Sequence, residues 1–351
     1  MQRQPLEVQT LYAELLEQLV ALEANRAIGR VPGGFVTKNI KGNPYYYFQH
    51  LEPGGAKRQT YVGRKDAILD AVVARFERER DAFSLDTESI QRLASLLRVG
   101  GAIPTDAPSA RVLSALADAG VFRLGGVLVG THAFSVIGNL LGVRWTGTAM
   151  RTQDLDVAAA ASMSVAVPDL TADVPGVLES LDMGFLPVPA FDRASPSTSF
   201  KVRGKGLRVD LITPMRDSAT VPVPIPRLRA TAQPLEYLDF ALEDSVRGAV
   251  IDGGGVLVNV PDPARFALHK LIVTGKRPVT AQVKSEKDLR QAVAVLGVLL
   301  EDRPGDIAVV CDDIRRRGKT WTTRLRAGLE SMARFEPDTA KRVSGILKRT
   351  R

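Results

Sequence analysis

Leucines recur at helical spacing near the start of the chain. Leu6, Leu11, Leu15, Leu19 and Leu22 fall on one face of a helix predicted over residues 5–28. Gly29 and Pro32-Gly33-Gly34 supply the stop signals. Over residues 35–63 the period changes to that of strands. Turn chemistry at 38–44, a strand-forming run at 45–49, the turn Pro53-Gly54-Gly55 and then Thr60-Tyr61-Val62 predict a small antiparallel meander. Helical spacing returns over roughly 65–82, 86–98 and 107–119, with Gly100, Gly101 and Pro104 between the last two.

The texture shifts again at Val121. Short strands are expected at 122–124 and 127–129 around Gly125 and Gly126, followed by a helix over 133–141. Further strands are expected at 155–158 and 207–212, with a helix over 174–182 between them. Pro222, Pro224 and Pro226 suit an extended connector. Two apolar runs within 249–260 pivot on Gly253-Gly254-Gly255, a hairpin signal. Beyond Pro261 and Pro263 the pattern is helical to the end, including 264–274, 285–301 and 320–348. The expected division is an accessory region of helices and meander (1–120), an α/β core (121–262) and a helical C-terminal lobe (263–351).

Composition changes this picture little. The 351 residues are 45% hydrophobic and 25% charged, ordinary for a chain that folds, so wholesale disorder is excluded. The formal charge of +8 favours anionic partners, nucleic acid among them. A lone cysteine, Cys311, cannot form an internal disulfide, and His50, His132 and His269 are too dispersed for a zinc site. The first ten residues lack a signal pattern, and the longest apolar run, near 293–300, is too short to cross a bilayer. A cytoplasmic protein without membrane contact is the expectation.

Chemistry concentrates in Asp154-Leu155-Asp156. Residues two apart in a strand share a face, so two carboxylates project side by side. Two such anions repel unless a cation lies between them, and Mg²⁺ suits oxygen ligands. Asp210 sits in a later apolar strand, where an unpaired charge is costly. If the strands adjoin, one anionic cluster forms, the outline of a phosphoryl-transfer site with metal ions. The bland readings are a solvated Asp-x-Asp turn and an Asp210–Arg208 ion pair. Upstream, Gly130-Thr131 ends a strand where amides and a hydroxyl at a helix N-terminus can hold phosphate.

In this order, Gly130-Thr131, Asp154/Asp156 and Asp210 resemble the DNA polymerase beta-type nucleotidyltransferase superfamily and, within it, look like bacterial nucleotidyltransferase-like proteins and AbiE-type toxin nucleotidyltransferases. The resemblance spans roughly 121–300. It implies a mixed sheet flanked by helices, an NTP donor, Mg²⁺ or Mn²⁺, and transfer of a nucleotidyl group to a hydroxyl with loss of pyrophosphate. Gly130 and Thr131 would then hold the β/γ-phosphates. Asp154 and Asp156 would hold the metals, and Asp210 would ligate one metal and help deprotonate the acceptor. Many members carry Gly-Ser where this chain has Gly-Thr. The segment from Arg265 to Leu271 resembles a third motif that presents Lys270 to the triphosphate. Lys284 and Asp288 resemble a fourth, and Arg151 and Arg144 are further candidates for phosphate contact. The bland alternatives are a snorkelling Lys270 and a solvated Lys284–Asp288 pair.

An RNA or tRNA 3′ end, a protein side chain and a small molecule all stay open as acceptor. A toxin with an antitoxin partner is one version of the same reading. The rivals are a non-catalytic nucleotide- or nucleic-acid-binding member and a DNA-binding module that uses the core as a scaffold. Trp145 is either a base-stacking ring or a loop anchor. In the N-terminal region Lys38, Lys41, Lys57, Arg58 and Arg64 interleave with Tyr45, Tyr46, Tyr47 and Tyr61. That pattern makes either a platform for single-stranded bases or a miniature core with lysine-protected edges. Arg315-Arg316-Arg317 with Lys319 is another basic cluster or a solvated helix end.

Overall fold

The leucine repeat forms helix α1 (Leu6–Arg26) and the meander forms strands β2 (Gly34–Ile40), β3 (Asn43–Leu51) and β4 (Lys57–Arg64). A two-residue strand, β1 (Gln2–Arg3), precedes them. The computed structural model describes residues 1–26, 33–51, 57–146, 153–159, 171–189, 195–216, 220–276 and 282–349. The stop at Gly29 and Pro32, the turn at Pro53-Gly54-Gly55 and the phosphate candidate Arg151 lie outside the described residues.

The two helices expected over 65–82 and 86–98 are one, α2 (Ala67–Val99). No Gly or Pro interrupts residues 67–99, so nothing breaks the hydrogen-bond ladder. Asp66 caps its start by accepting from the Leu69 amide at 2.8 Å. Near its C-terminal end, Ile90, Leu93 and Leu97 pack against Leu15, Leu19 and Leu22 of α1 in a separate small core.

Helix α3 (Ala107–Asp118) follows, capped by Asp106. Residues 122–124, expected as a strand, form turns instead. Val121, Phe122 and Leu124 are apolar because they plug the main core. Asn259 donates to the Phe122 and Gly126 carbonyls at 2.8 and 2.9 Å and fixes that turn. Strand β5 (Val127–Val129) then leads directly into α4 (Gly130–Leu140), which begins three residues earlier than expected. The short strand β6 (Val143–Arg144) pairs with β1.

The central sheet is mixed, as expected. Strand β7 (Asp154–Ala158) lies between β5, antiparallel, and β10 (Arg208–Pro214), parallel. Helix α5 (Val174–Ser180) and strands β8 (Phe185–Pro187) and β9 (Ser199–Val202) come between β7 and β10 in sequence. The far edge of β10 is shared: β9 pairs at Arg208–Asp210, and β12 (Ala230–Leu235) at Ile212–Pro214. The proline-rich connector contains strand β11 (Val223–Ile225), antiparallel to β12, then a single 3₁₀ turn. Proline is tolerated there because β11 is an edge strand of the sheet.

Alternation gives this sheet two unlike faces. Leu128, Leu155, Val157, Val209 and Leu211 join the main core with α4. Val127, Val129, Ala158 and Ile212 turn the other way, under Leu238 and Ala241 of α6 (Leu238–Leu242). The predicted hairpin is β13 (Val246–Val250) with β14 (Val256–Val260). Five helices complete the described chain: α7 (Pro263–Thr274), α8 (Gln282–Asp302), α9 (Pro304–Arg316), α10 (Lys319–Ala333) and α11 (Pro337–Arg349). The single helix expected over 320–348 breaks ahead of Pro337, which opens α11. Arg265 on α7 is buried and pairs with Asp244 and Asp313, both at 2.9 Å, tying α7 to the end of α6 and to α9.

Candidate active site

The adjoining central strands β7 and β10 carry the acids. Parallel pairing sets Asp210 against Asp156 and Arg208 against Asp154, position for position. Residues in such register sit roughly 5 Å apart on the same face. Asp154, Asp156 and Asp210 therefore share one face, and it is the α6 face, because their neighbours Ala158 and Ile212 pack there. Asp154, at the start of its strand, is exposed, whereas Asp156 and Asp210 are partly buried.

Burial, with the facing Asp210 carboxylate next, pushes the Asp156 carboxyl up from 3.8 to about 6. Lys284 and Lys270 pull it back, and Asp154 pushes it further up. Asp210 is steadied by two donors. The Ser199 hydroxyl donates to its Oδ1, and Arg208 Nε donates to the same oxygen at 2.8 Å. Arg208 also donates to Ser199 Oγ at 2.7 Å. The Asp210–Arg208 pair weighed from the sequence thus exists, within a shared cluster that leaves Oδ2 outside these bonds.

Gly130 closes the site from the side. Its φ is +67°, and a Cβ built there would collide with the Asp156 carboxylate. Glycine lets the β5–α4 turn come against an acidic side chain. No side chain caps the N-terminus of α4. Thr131 is placed differently from expectation: it is buried, and its hydroxyl accepts from Gln291 of α8 at 3.4 Å. His132 is buried too, and burial, then Lys287, lowers its pKa against the opposite pull of Asp106 and Asp154.

Opposite the acids stand lysines from the C-terminal helices. Lys270 is 8% exposed and pairs with Asp288 at 2.5 Å, its ammonium also lying 4.8 Å from the Phe266 ring centre. Asp288 therefore pairs across helices with Lys270, while Lys284 is exposed and acts on Asp156 through its charge. Lys287, which the sequence reading did not single out, is held below the usual lysine range by burial and by Lys270. The Lys284-x-x-Lys287 repeat on one helix face was its available signal. Ser199 was missed as well; its signal was the alternation of Phe200 and Val202 with polar neighbours. A cleft of about 150 Å³ joins these parts, lined by Gly130, Asp156, His269, Lys270, Lys284 and Asp288 with an apolar floor that includes Ile212 and Leu238.

Two other candidates belong elsewhere. Trp145 stacks on Phe134 at 4.6 Å and donates to the Phe134 carbonyl at 2.7 Å, so it anchors the core rather than a base. Arg144 lies in the β1–β6 pair, exposed. Of the basic cluster, Arg317 pairs with Asp239, Glu243 and Asp313, and Arg315 with Asp312, so those charges are spent on structure.

Among the described residues, no three His, Cys, Asp or Glu side chains come together as a group that could hold a metal ion. The chemistry of the candidate donors nevertheless suits a hard divalent cation: all are carboxylate oxygens, and Asp156 is held up by burial first and then by the neighbouring carboxylates, whose repulsion a cation would relieve.

No curated protein matches the chain. A solved structure, an antigenic nucleotidyltransferase-like protein from Paracoccidioides brasiliensis, is similar at 15% identity and a TM-score of 0.35, over 69% of this chain and 94% of that one. The family model described as Nucleotidyltransferase matches residues 107–314, from α3 through most of α9 and well over half of the chain. The chain belongs to this nucleotidyltransferase family, and it is a nucleotidyltransferase.

Proposed function

We propose that the chain transfers a nucleotidyl group from an NTP to a hydroxyl acceptor at the carboxylates of the central strands β7 and β10, with RNA 3′ ends as the favoured acceptor class. The observation that carries this is the in-register pairing of Asp156 with Asp210 beside the Gly130 turn, facing Lys270 and Lys284 across one cleft. Opposed rows of acids and lysines suit a reaction in which a metal-bearing anion, the triphosphate, moves negative charge onto departing pyrophosphate.

Each side chain has a share in this proposal. The amides at the α4 N-terminus bind the distal phosphates, since the Thr131 hydroxyl is already engaged with Gln291. Lys284 and Lys287 offset the triphosphate charge, and Lys270 is positioned by Asp288. Ser199 and Arg208 orient Asp210, whose Oδ2 accepts the acceptor hydroxyl proton. A Mg²⁺ or Mn²⁺ ion held by Asp154, Asp156 and Asp210 would supply Lewis-acid stabilisation of the entering and leaving oxygens.

The test offers each labelled NTP with Mg²⁺ and total RNA to the full chain, and to Asp156→Asn and Asp210→Asn. Wild type should label RNA, and each variant should lose about a thousandfold or more in rate while keeping its circular dichroism. Labelling that survives in both variants would overturn the assignment of the site. Failure of wild type to label RNA, with transfer to protein or a small molecule instead, would overturn the acceptor.

A further inference from the structure

The meander has two faces, and only one is used by the fold. On the inner face Phe35 and Phe48 meet Phe76 of α2 in edge-on ring contacts at 5.2 and 5.7 Å, and Tyr46 meets Phe35 at 6.3 Å. The Tyr46 hydroxyl donates to Asp70 of α2 at 2.6 Å. The miniature-core reading therefore holds for this half of the aromatics.

The other half faces outward. Register places Tyr47 opposite Tyr61, and Tyr45 opposite Arg64 on one side and Lys38 on the other. A bulge at Val62 shifts the register between Tyr46 and Tyr47, keeping Arg64 on the same face as Tyr45. The Tyr61 ring lies 5.6 Å from Tyr47 and 6.0 Å from Tyr45, and Tyr61 is 57% exposed. Lys38 Nζ lies 4.8 Å from the Tyr47 ring centre. Alternation adds Gln49, Gln59 and Lys57 to this face, and the two glutamines hydrogen-bond at 2.7 Å. From Gly34 to Lys65 the sequence has six Lys and Arg against one acid, Glu52.

We infer that this outward face docks a single-stranded nucleic acid, with bases stacked on Tyr45, Tyr47 and Tyr61 and the backbone held by Lys38, Lys57 and Arg64. Three neighbouring rings, Tyr61 exposed and Tyr45 and Tyr47 half-buried on the same face, offer π-surfaces to unstacked bases, which a duplex does not present. The cations match a polyanion, and no acidic side chain from the described strands opposes it. An acidic peptide would use the charges and leave the rings without a role. Strand β3 also supplies its inner-face residues to α2, so the platform is rigid before the ligand arrives. The surface lies about 40 Å along α2 from the Leu97 end that packs on α1, by helical rise from Asp70. The docking stands apart from the transfer reading, because it requires none of the acids.

The experiment is fluorescence anisotropy with the full chain and labelled oligouridylate or oligothymidylate of about 16 nucleotides. Wild type should bind, with affinity falling steeply between about 50 and 200 mM salt. Tyr47→Ala with Tyr61→Ala should weaken binding about tenfold or more, and Tyr61→Phe should keep it. Lys38→Ala with Arg64→Ala should flatten the salt dependence. Tighter uridylate binding would assign RNA, and equal binding would assign single strands of either sugar. Asp156→Asn should bind like wild type, so loss of transfer and loss of docking are read separately. Three results would each overturn the inference: no salt-dependent binding of either oligonucleotide, a double-tyrosine variant with wild-type affinity and intact circular dichroism, or polyglutamate competing as well as the oligonucleotide.

Discussion

Asp156 and Asp210 reach each other from strands far apart in sequence, with a helix and two strands between, whereas Tyr45, Tyr47 and Tyr61 come from one short meander. The first group works against the fold. Partly buried carboxylates face one another, one of them with a raised pKa, and stand among a serine and an arginine of the same sheet and lysines from two further helices. The second group costs the fold little, since its rings face solvent and its local core is made by other residues on the alternate face. A site that stores unfavourable charge needs support from the whole molecule, while a sheet face that docks a ligand needs only alternation.

The contrast can be broken most forcefully at Lys270. It and Asp288 have side chains only 10% and 13% exposed. Lys270→Ala should destabilise the protein by about 3 kcal/mol in urea unfolding, because the Asp288 charge is left buried without that partner. Lys270→Met with Asp288→Leu should recover most of the loss. A single variant as stable as wild type would show that the acidic site does not lean on the C-terminal helices.

Asp156→Asn should act in the opposite direction. The folded carboxyl titrates at about 6, above its unfolded value of 3.8. The folded chain therefore binds the extra proton, and the stability this carboxyl contributes is fully present below the unfolded pKa and lost as pH rises through about 6. In chelator-treated protein the Asn variant should be about 1–3 kcal/mol more stable than wild type at pH 7 to 8, with the gap closing toward pH 4. Equal stability at neutral pH would remove the claim of stored repulsion.

The smallest effect belongs to the meander. Tyr61→Ser should change unfolding free energy by no more than about 0.5 kcal/mol, as for other open surface positions. A loss of several times that size would mean the outward rings are structural after all, and the comparison would fail from the other side.

Much of the fold was legible because its signals are local. The leucines of α1, the turns of the meander and the glycine-centred hairpin of β13 and β14 are read from neighbours in sequence. The misreadings have separate causes. Residues 122–124 are apolar because they fill the core from a turn, and α2 runs on where two helices were expected because polar residues without Gly or Pro do not stop a helix. At the candidate site, the sequence offered the three acids and Lys270 by type and order, and the structure sets Asp156 beside Asp210 and Lys270 against Asp288. Ser199, Lys287 and the partner of Asp288 were not, because each depends on which elements pack together.

The sequence alone determined the periods, the order of strand, Gly-Thr, helix and acids, and the excess of basic charge among the meander tyrosines. Tertiary structure decided that β10 lies parallel to β7 in the register that sets Asp210 beside Asp156, that Lys270 closes on Asp288, and which tyrosines face outward. Periodicity is written in short-range steric preferences, whereas register and cross-element pairing follow from burying the chain's apolar faces together.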